Sequence, residues 1–245
     1  MAQALVTGAT SGIGRAIALA LRSAGHRVVA TGRNEAALAE LAALGIESLV
    51  LDLADPTILS ARLAAVQERF RPEILVNNAG MVTAPGDFCD MAEADIHRLI
   101  ATNLTQALIV TRAMAPAMRA QGRGHIFFTG SVAAHAPYPN MAVYAATKAA
   151  LGAFAQSLRL DLSAAGVRVT EIVAGRVESP LYKDVLPAEA RAAMYAGQTA
   201  VRPEDVAAMV LAVLNLPPHV DVARFDILPT RQPVSPQVPA AEKSK

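Results

Sequence analysis

The sequence predicts an α/β fold in which a doubly wound parallel sheet of seven strands is flanked by helices on both faces. Short β-branched or aliphatic runs alternate along the chain with longer Ala-rich runs of helical period, a pattern typical of repeated βαβ units. The 245 residues are 53% hydrophobic, 18% charged and only 4% aromatic, so small aliphatic side chains must fill one large core.

The predicted elements follow one another from strand to helix along the chain. The strands are predicted at residues 4–7, 27–31, 48–51, 74–77, 125–129, 167–173 and 225–228. The helices are predicted at residues 13–24, 34–43, 56–70, 92–120, 142–164 and 203–215. Asp55 and Pro56 have the residue types of an N-cap and a first helical position. Three glycines lie where helices are expected to end: Gly25, Gly45 and Gly166.

The predicted domain organisation is a single unit at residues 1–228, because neither an internal repeat nor a Gly/Ser-rich linker interrupts the chain. This unit includes a segment at residues 176–195 that we expect to contact substrate. Residues 229–245 are predicted to form a Pro-rich C-terminal tail.

Charge and cysteine content exclude several functional classes. The net charge is +1 and the basic residues are scattered, which argues against nucleic-acid or membrane-surface binding. The longest uncharged stretch, residues 124–147, contains two prolines and is not expected to span a membrane. The single cysteine, Cys89, and the absence of a signal-peptide pattern predict a cytoplasmic protein.

A glycine-rich turn separates the first predicted strand from the first predicted helix. Gly8, Gly12 and Gly14 permit a tight turn and allow backbone N–H groups to approach a pyrophosphate at the helix N-terminus. The spacing differs from the G-x-G-x-x-G pattern, and an ordinary βα turn is the alternative interpretation.

The end of the second predicted strand indicates which dinucleotide binds. An acidic residue there would bind the ribose 2′-hydroxyl of NAD, whereas this chain has Gly32 followed by Arg33, which favours the 2′-phosphate of NADP. Alternatively, Arg33 is a surface residue at the start of the next helix. Asp52, followed by Leu53 after the third strand, is expected to receive the adenine amino group or to be a turn residue.

Tyr144 and Lys148 are four positions apart in a predicted helix and therefore share one face. A phenol whose pKa falls from about 10 toward neutrality can exchange a proton with a carbonyl oxygen, and a nearby ammonium favours that fall. A solvated helix face is the alternative interpretation of this pair.

Three further polar residues occupy predicted strand ends or a helix interior. Ser131 ends the fifth strand and is expected to hold a substrate oxygen beside the phenol. Asn78 ends the fourth strand at the edge where open parallel sheets bind ligands. Asn103 lies inside a long predicted helix, where it would form an interhelical hydrogen bond or mark a break that offers a carbonyl to water.

These residues together resemble the short-chain dehydrogenase/reductase family, whose Rossmann-type domain binds a dinucleotide. The match covers nearly the whole chain and rests on Thr7 to Gly14, Asn77 to Gly80, Asn103, Ser131, and Tyr144 with Lys148. The resemblance implies that Tyr144 is the general acid/base and that Ser131 positions the carbonyl. It also implies that Lys148 binds the nicotinamide ribose and lowers the Tyr144 pKa, and that Asn103 holds a water in a proton relay.

The resemblance completes the set of predicted site residues. Residues predicted to bind NADP(H) are Gly8, Thr10, Ser11, Gly12, Ile13, Gly14, Arg33, Asp52, Leu53, Asn78, Ala79, Gly80, Tyr144, Lys148, Val177 and Ser179. Residues predicted to contact substrate are Ser131, His135, Tyr138 and Arg176. No metal site is expected.

The sequence departs from the family pattern after the sixth predicted strand. The usual Pro-Gly-x-Val is Ala174-Gly175-Arg176-Val177 here, and Ser179 stands where Thr is common. Val177 is still expected to offer its backbone to the carboxamide. The missing proline leaves open how firmly residues 176–195 close over a substrate.

The segments ending in Arg33, Asp221 and Gln232 resemble an NADP-dependent subgroup that includes serine and 3-hydroxy acid dehydrogenases and sulfoacetaldehyde reductases. A small polar carbonyl compound and its alcohol, such as a 3-hydroxy acid or a sulfonate, is therefore the expected substrate pair. Arg176 would bind its anionic group if the guanidinium turns inward, and would otherwise face solvent. His135 and Tyr138 would contact the substrate or pack the loop.

Two other functions remain open: a sugar or polyol dehydrogenase, and a catalytically inactive regulatory protein that binds the cofactor. The four intact catalytic positions argue against the inactive protein. The family resemblance further implies a homotetramer, or a homodimer, assembled through helices at residues 92–120 and 142–164.

Overall fold

The computed structural model describes residues 1–51 and 56–231. It contains a single sheet of seven parallel strands, as predicted. The strands are β1 (Gln3–Val6), β2 (Arg27–Gly32), β3 (Glu47–Val50), β4 (Ile74–Asn77), β5 (Gly124–Thr129), β6 (Val167–Ala174) and β7 (Arg224–Ile227). Each predicted strand is present with ends within one residue of those observed.

The helices confirm most of the predicted pattern and correct it in two places. They are α1 (Gly12–Ser23), α2 (Glu35–Ala43), α3 (Pro56–Phe70), α4 (Glu93–Ile100), α5 (Gln106–Gln121), α6 (Ala142–Ser163), α7 (Ala188–Tyr195) and α8 (Pro203–Leu214). The prediction of one continuous helix at 92–120 is wrong, because a π-helical turn at Ala101–Thr105 separates α4 from α5. Helix α7 was not predicted.

The sheet is wound in two directions from its centre. Its strand order is β3-β2-β1-β4-β5-β6-β7, so the chain moves outward from β1, returns to the other side of β1, and continues to β7. The order reverses between β1 and β4. In open parallel sheets ligands bind at the carboxyl ends of the strands beside such a reversal.

Alternating side chains of the strands enter two hydrophobic cores on opposite faces of the sheet. Val6 packs with residues of α1 and α8, whereas its neighbour Leu5 packs with residues of α3, α5 and α6. Phe127 and Phe128 divide between the same two cores. The inner strands β1, β4 and β5 are therefore buried on both faces, which explains their aliphatic runs.

The predicted helix-ending glycines have left-handed backbones. Gly25, Gly45 and Gly166 have φ of 87°, 77° and 68°. Among the described residues, no helix is long and apolar enough to cross a membrane. Asp55 and residues 232–245 of the predicted tail lie outside the described residues.

Candidate active site

The glycine-rich turn between β1 and α1 leaves no room for side chains at two of its positions. Gly8 has φ of 63°, and a Cβ there would lie 2.7 Å from the Cα of Ala79. A Cβ at Gly14 would collide with the Nδ2 of Asn78 and the carbonyl oxygen of Gly8. The turn therefore lies directly against the segment that follows β4.

Asn78 and Thr7 hold these two segments together. The Asn78 amide donates to the carbonyls of Thr7 and Gly8, both at 3.2 Å. The Thr7 hydroxyl accepts the backbone N–H groups of Asn78 and Ala79 at 3.0 and 3.1 Å. The Asn78 side chain therefore shapes the turn, and its predicted contact with the cofactor stays a prediction.

The N-terminus of α1 is open to a ligand. Ser11 is its exposed N-cap residue, and its side chain makes no capping hydrogen bond. Thr10, Gly12 and Ile13 are half-buried around it. Backbone N–H groups of a first helical turn attract anions, so the turn can receive a phosphate group.

The end of β2 lies beside this turn. The position that a Cβ would take at Gly32 is filled by the side chain of Thr10, so an acidic side chain at residue 32 would meet Thr10. Arg33 is exposed and makes no hydrogen bond or ion pair with any other described residue. Asp52 and Leu53, predicted to contact the adenine, lie outside the described residues.

Tyr144, Lys148 and Ser131 come together at the carboxyl edge of β5, as their sequence positions predict. All three are buried. The Ser131 hydroxyl accepts the N–H of Ala133 at 3.2 Å and also bonds to the Tyr144 phenol. Burial raises the pKa of Tyr144 above its ordinary value, and the hydrogen bond with Ser131 opposes that rise.

The Tyr144 pKa is raised, not lowered toward neutrality as the sequence led us to expect. The Lys148 Nζ lies 5.9 Å from the centroid of the Tyr144 ring and donates to the carbonyl of Thr129 at 2.7 Å. Desolvation of the phenolate therefore dominates at Tyr144. Burial also lowers the pKa of Lys148 to about 8, while the carboxylate of Glu171 raises it.

Asn103 lies in the π-helical turn, so the break considered for this position is present. The side chain accepts the N–H of Met81 at 2.8 Å and donates to the carbonyl of Met81 at 3.0 Å. It also donates to the Thr147 hydroxyl at 3.3 Å. The wider turn brings this amide into the site, where it joins the segment after β4 to α6.

Gly80 marks the place where Asn103 and Lys148 approach each other. A Cβ at Gly80 would lie 3.3 Å from the Asn103 Oδ1 and 3.6 Å from the Lys148 Nζ. The neighbouring Ala79 carbonyl accepts the buried side-chain amide of Gln106 at 3.1 Å. Gln106 was not predicted, and a buried amide in an Ala-rich helix gives no signal in the sequence.

The segment at residues 176–195 folds back onto the glycine-rich turn. Val177 forms a parallel bridge with Val201, and Ser179 Cβ lies 3.1 Å from the position of a Cβ at Gly12. The Tyr195 hydroxyl donates to the Ser179 carbonyl at 3.1 Å. These contacts fasten the segment even though residue 174 is not proline.

Arg176, the first residue of this segment, is half-buried. This corrects the interpretation of a solvent-facing side chain. The Arg176 Nη1 donates to the carbonyl of Met194 at 2.8 Å. Burial raises the pKa of the nearby Tyr182, and the charges of Tyr144 and Tyr195 add to the rise while Arg176 opposes it. The charge of Arg176 therefore acts on the Tyr182 phenol, and Tyr182 in turn lies near Tyr144.

The four tyrosines of the chain all contribute to this region. Tyr138 and Tyr182 pack against the small apolar cluster that contains Tyr144, and Tyr195 lies in the segment above it. Tyr182 and Tyr195 were not predicted as site residues, although both lie in or at the end of the segment expected to contact substrate. His135 instead faces the buried Glu171, with Nε2 3.7 Å from Oε1.

The family model of the short chain dehydrogenases matches residues 2–190. The chain belongs to the short-chain dehydrogenase family. The predicted family, sheet and oxidoreductase class are thus confirmed. Within the described residues, no group of three or more His, Cys, Asp or Glu side chains is placed to hold a metal ion.

Relatives of this short-chain dehydrogenase match it over almost its full length. It is 46% identical over 233 residues to an uncharacterized short-chain type dehydrogenase/reductase of Sinorhizobium fredii, covering 94% of this chain and 92% of the relative. It is 39% identical to sulfoacetaldehyde reductase 2 of Chromohalobacter salexigens, covering 93% and 94% of the two chains. It is 36% identical to an NADP-dependent 3-hydroxy acid dehydrogenase of Salmonella typhi, covering 93% and 95%.

A solved structure with the same fold is the closed form of serine dehydrogenase complexed with NADP+. It has a TM-score of 0.90 and 34% sequence identity, and the match covers 94% of this chain and 96% of the other. The cofactor named for this structure and for the Salmonella relative is the one predicted from Gly32 and Arg33.

Proposed function

We propose that this short-chain dehydrogenase is an NADP(H)-dependent oxidoreductase that interconverts a small polar carbonyl compound and its alcohol, of the 3-hydroxy acid or sulfonate type. The observation that carries this proposal is the convergence of buried Ser131, Tyr144 and Lys148 beside a glycine-rich turn suited to a phosphate. The names of the relatives support the cofactor and substrate class.

The residues around the turn fit NADP(H). Gly8 and Gly14 leave space for close approach of the backbone, and the N–H groups at the start of α1 would bind the pyrophosphate. Arg33 would bind the 2′-phosphate, since an acidic residue is absent at position 32. The other residues proposed to hold the cofactor are Thr10, Ser11, Gly12, Ile13, Asn78, Ala79, Gly80, Val177 and Ser179, with Asp52 and Leu53 at the adenine. When bound, NADPH supplies a hydride to the carbonyl carbon.

The chain's own side chains would handle the proton and orient the carbonyl. Because burial raises the pKa of Tyr144, its phenol retains a proton at neutral pH and is available as the acid in the direction of reduction. Ser131 would donate to the same carbonyl oxygen and hold it beside the phenol. Lys148, whose ammonium is next to Asn103 at Gly80, would return a proton to the phenol after each turnover.

The experiment that tests this function compares the oxidation of NADPH and NADH by the purified protein over a panel of aldehydes, 3-oxo acids, sulfonates and sugars. We expect NADPH to be preferred and an anionic carbonyl compound to be the best substrate. Turnover of neutral polyols alone would favour a polyol dehydrogenase. Cofactor binding without any turnover would favour the inactive regulatory protein.

Arg176 would set the preference for an anionic substrate. One of its N–H groups binds the Met194 carbonyl, and the remaining donors can bind a carboxylate or sulfonate near Tyr182. We expect Arg176→Ala to raise KM for an acidic carbonyl compound by about tenfold or more and to leave KM for a neutral one nearly unchanged. Steady-state kinetics with a matched pair of substrates measures this.

Thr199→Val is the matched control, because the Thr199 hydroxyl donates to the same Met194 carbonyl at 2.9 Å but carries no charge. This variant should affect both substrates alike. If Arg176→Ala also affects both substrates alike, the arginine only holds residues 176–195 in place and does not bind the anionic group of the substrate.

We further propose that the protein assembles as a homotetramer, as its family resemblance implies. An apolar groove lined by α4, the π-helical turn and α6 supports this, and Phe88 and Ile100 in it are 56% and 39% exposed. We expect light scattering after size exclusion to give the mass of four chains, and Ile100→Glu to lower it. A monomer at micromolar concentration would contradict the proposal. The predicted cytoplasmic location stays a prediction.

A further inference from the structure

Glu171 is a buried acidic residue that the proposed reaction does not use. It lies in β6 and is 2% exposed, and its Oε1 has no hydrogen-bond partner among the described residues. The His135 Nε2 is 3.7 Å from this oxygen, which is too long for a hydrogen bond. A carboxylate is seldom buried without compensation, so its position calls for a physical reason.

Two glycines make the space that this carboxylate occupies. A Cβ at Gly130 would lie 2.6 Å from the Glu171 Oε1, and a Cβ at Gly152 would lie 2.7 Å from the same atom. The carboxylate therefore lies between the end of β5 and the middle of α6. A side chain on either glycine would displace it.

Each of these two glycines lies close in sequence to a candidate catalytic residue, Ser131 or Lys148. Gly130 follows Thr129, whose carbonyl accepts the Lys148 ammonium, and it precedes Ser131. Gly152 lies one helical turn after Lys148 and so shares its side of α6. The carboxylate is thus in contact with both backbone segments that hold Lys148.

We propose that Glu171 is a positioning residue for Lys148: its carboxylate, buried between Gly130 and Gly152, keeps the lysine side chain charged and directed toward the Thr129 carbonyl. The role of this charge in turnover rests on the function proposed above. The position of the Glu171 carboxylate against the two segments that hold Lys148 does not, because it follows from the packing of β5, β6 and α6 alone.

The charges around Glu171 come from three elements besides its own strand. Lys148 lies on α6, His135 follows β5, and Arg224 and Asp226 lie on β7. Burial raises the pKa of Glu171, Asp226 adds to that rise, and His135 and Arg224 oppose it. Among these charges, the Glu171 carboxylate is the one that favours the Lys148 ammonium, because an adjacent negative charge stabilises the protonated amine.

The sign of the effect on Lys148 follows from these charges. Burial lowers the pKa of Lys148 to about 8, and Glu171 acts in the opposite direction. Removing the carboxylate must therefore lower this pKa further, so that the ammonium is lost at a lower pH. A purely structural role for Glu171 would not move it.

The chain offers a direct measurement because it has four lysines: Lys148, Lys183, Lys243 and Lys245. Lysine labelled with ¹³C at Cε can be titrated by NMR in the full-length protein without any ligand, and Lys148→Arg assigns the signal. We expect the Lys148 midpoint in Glu171→Gln to fall by about half a pH unit or more relative to the natural sequence. Glu171→Asp should restore part of the difference.

Glu178→Gln is the matched control, because it removes the same charge from an exposed side chain and should leave the Lys148 midpoint in place. An unchanged midpoint in folded Glu171→Gln would overturn the proposal. Glu171→Met provides a second neutral variant of similar size. If neither neutral variant folds, the carboxylate serves folding rather than Lys148, which also overturns it.

A rate measurement separates this inference from the proposed function. If Lys148 acts in turnover, the alkaline limb of NADPH oxidation should move to lower pH in Glu171→Gln by the same amount as the NMR midpoint. A shifted NMR midpoint with an unshifted rate profile would overturn the positioning role. A natural-sequence protein that turns over no carbonyl compound would instead overturn the proposed function and leave the effect of Glu171 on the Lys148 midpoint intact.

Discussion

Tyr144→Phe is expected to lower NADPH oxidation by about 10²- to 10⁴-fold, because the phenol is the proton donor of the proposed reaction. The substitution removes one oxygen from a buried ring that packs against Val82 and Leu99, so the fold should be retained. The measurement is kcat/KM with the best carbonyl compound of the substrate panel.

NADPH affinity is the control for this prediction. The glycine-rich turn is unchanged in Tyr144→Phe, so a fluorescence titration should give nearly the same Kd for NADPH in both proteins. A variant that keeps more than about a tenth of the turnover would show that another group supplies the proton.

Gly14→Ala is expected to weaken NADPH binding by at least about tenfold and to lower thermal stability. The new Cβ would meet the Asn78 Nδ2 and the Gly8 carbonyl oxygen, and the second of these is backbone that cannot move without opening the turn. Overpacking of this kind costs about 1–3 kcal/mol, and part of the strain falls on the phosphate-binding turn itself. Fluorescence titration and thermal denaturation measure the two effects.

Gly86→Ala is the matched control, because a Cβ at Gly86 meets no heavy atom within 4 Å and no left-handed backbone is required there. It should bind NADPH and unfold like the natural sequence. Equal Kd values for Gly14→Ala and Gly86→Ala would show that the turn between β1 and α1 is not the cofactor site.

Much of the fold could be predicted from the sequence because local patterns determine it. Strands buried on both faces appear as short aliphatic runs, and Gly25, Gly45 and Gly166 mark helix ends through their backbone preference. That Tyr144 and Lys148 lie on one face of α6 could also be predicted, because residues four positions apart in a helix share a face.

The sequence left a break between α4 and α5 as only one of two interpretations of Asn103, because distant residues decide it. The Asn103 side chain is held by Met81, 22 positions earlier, and by Thr147, 44 positions later. The helix propensities of the residues from 92 to 120, taken alone, favour one continuous helix. Hydrogen bonds to a buried amide compensate for the irregular turn only once β4 and α6 are in place.

The pKa of Tyr144 and the orientation of Arg176 also depend on the assembled structure. The spacing of Tyr144 and Lys148 indicated a lowered phenol pKa, but burial dominates and Lys148 donates to Thr129. Arg176 could be placed near the substrate segment, yet its partner, the Met194 carbonyl, belongs to a helix that was not predicted.

The sequence by itself determined the doubly wound sheet, the glycine-rich turn and the candidate catalytic side chains, because each depends on residue types a few positions apart. Only the tertiary structure decided which charges face one another. Glu171 shows why: its neighbours Gly130 and Gly152 are 41 and 19 positions away, and each lies in a different element. Electrostatic energies depend on distance and burial, and both are set only when β5, β6 and α6 have packed together.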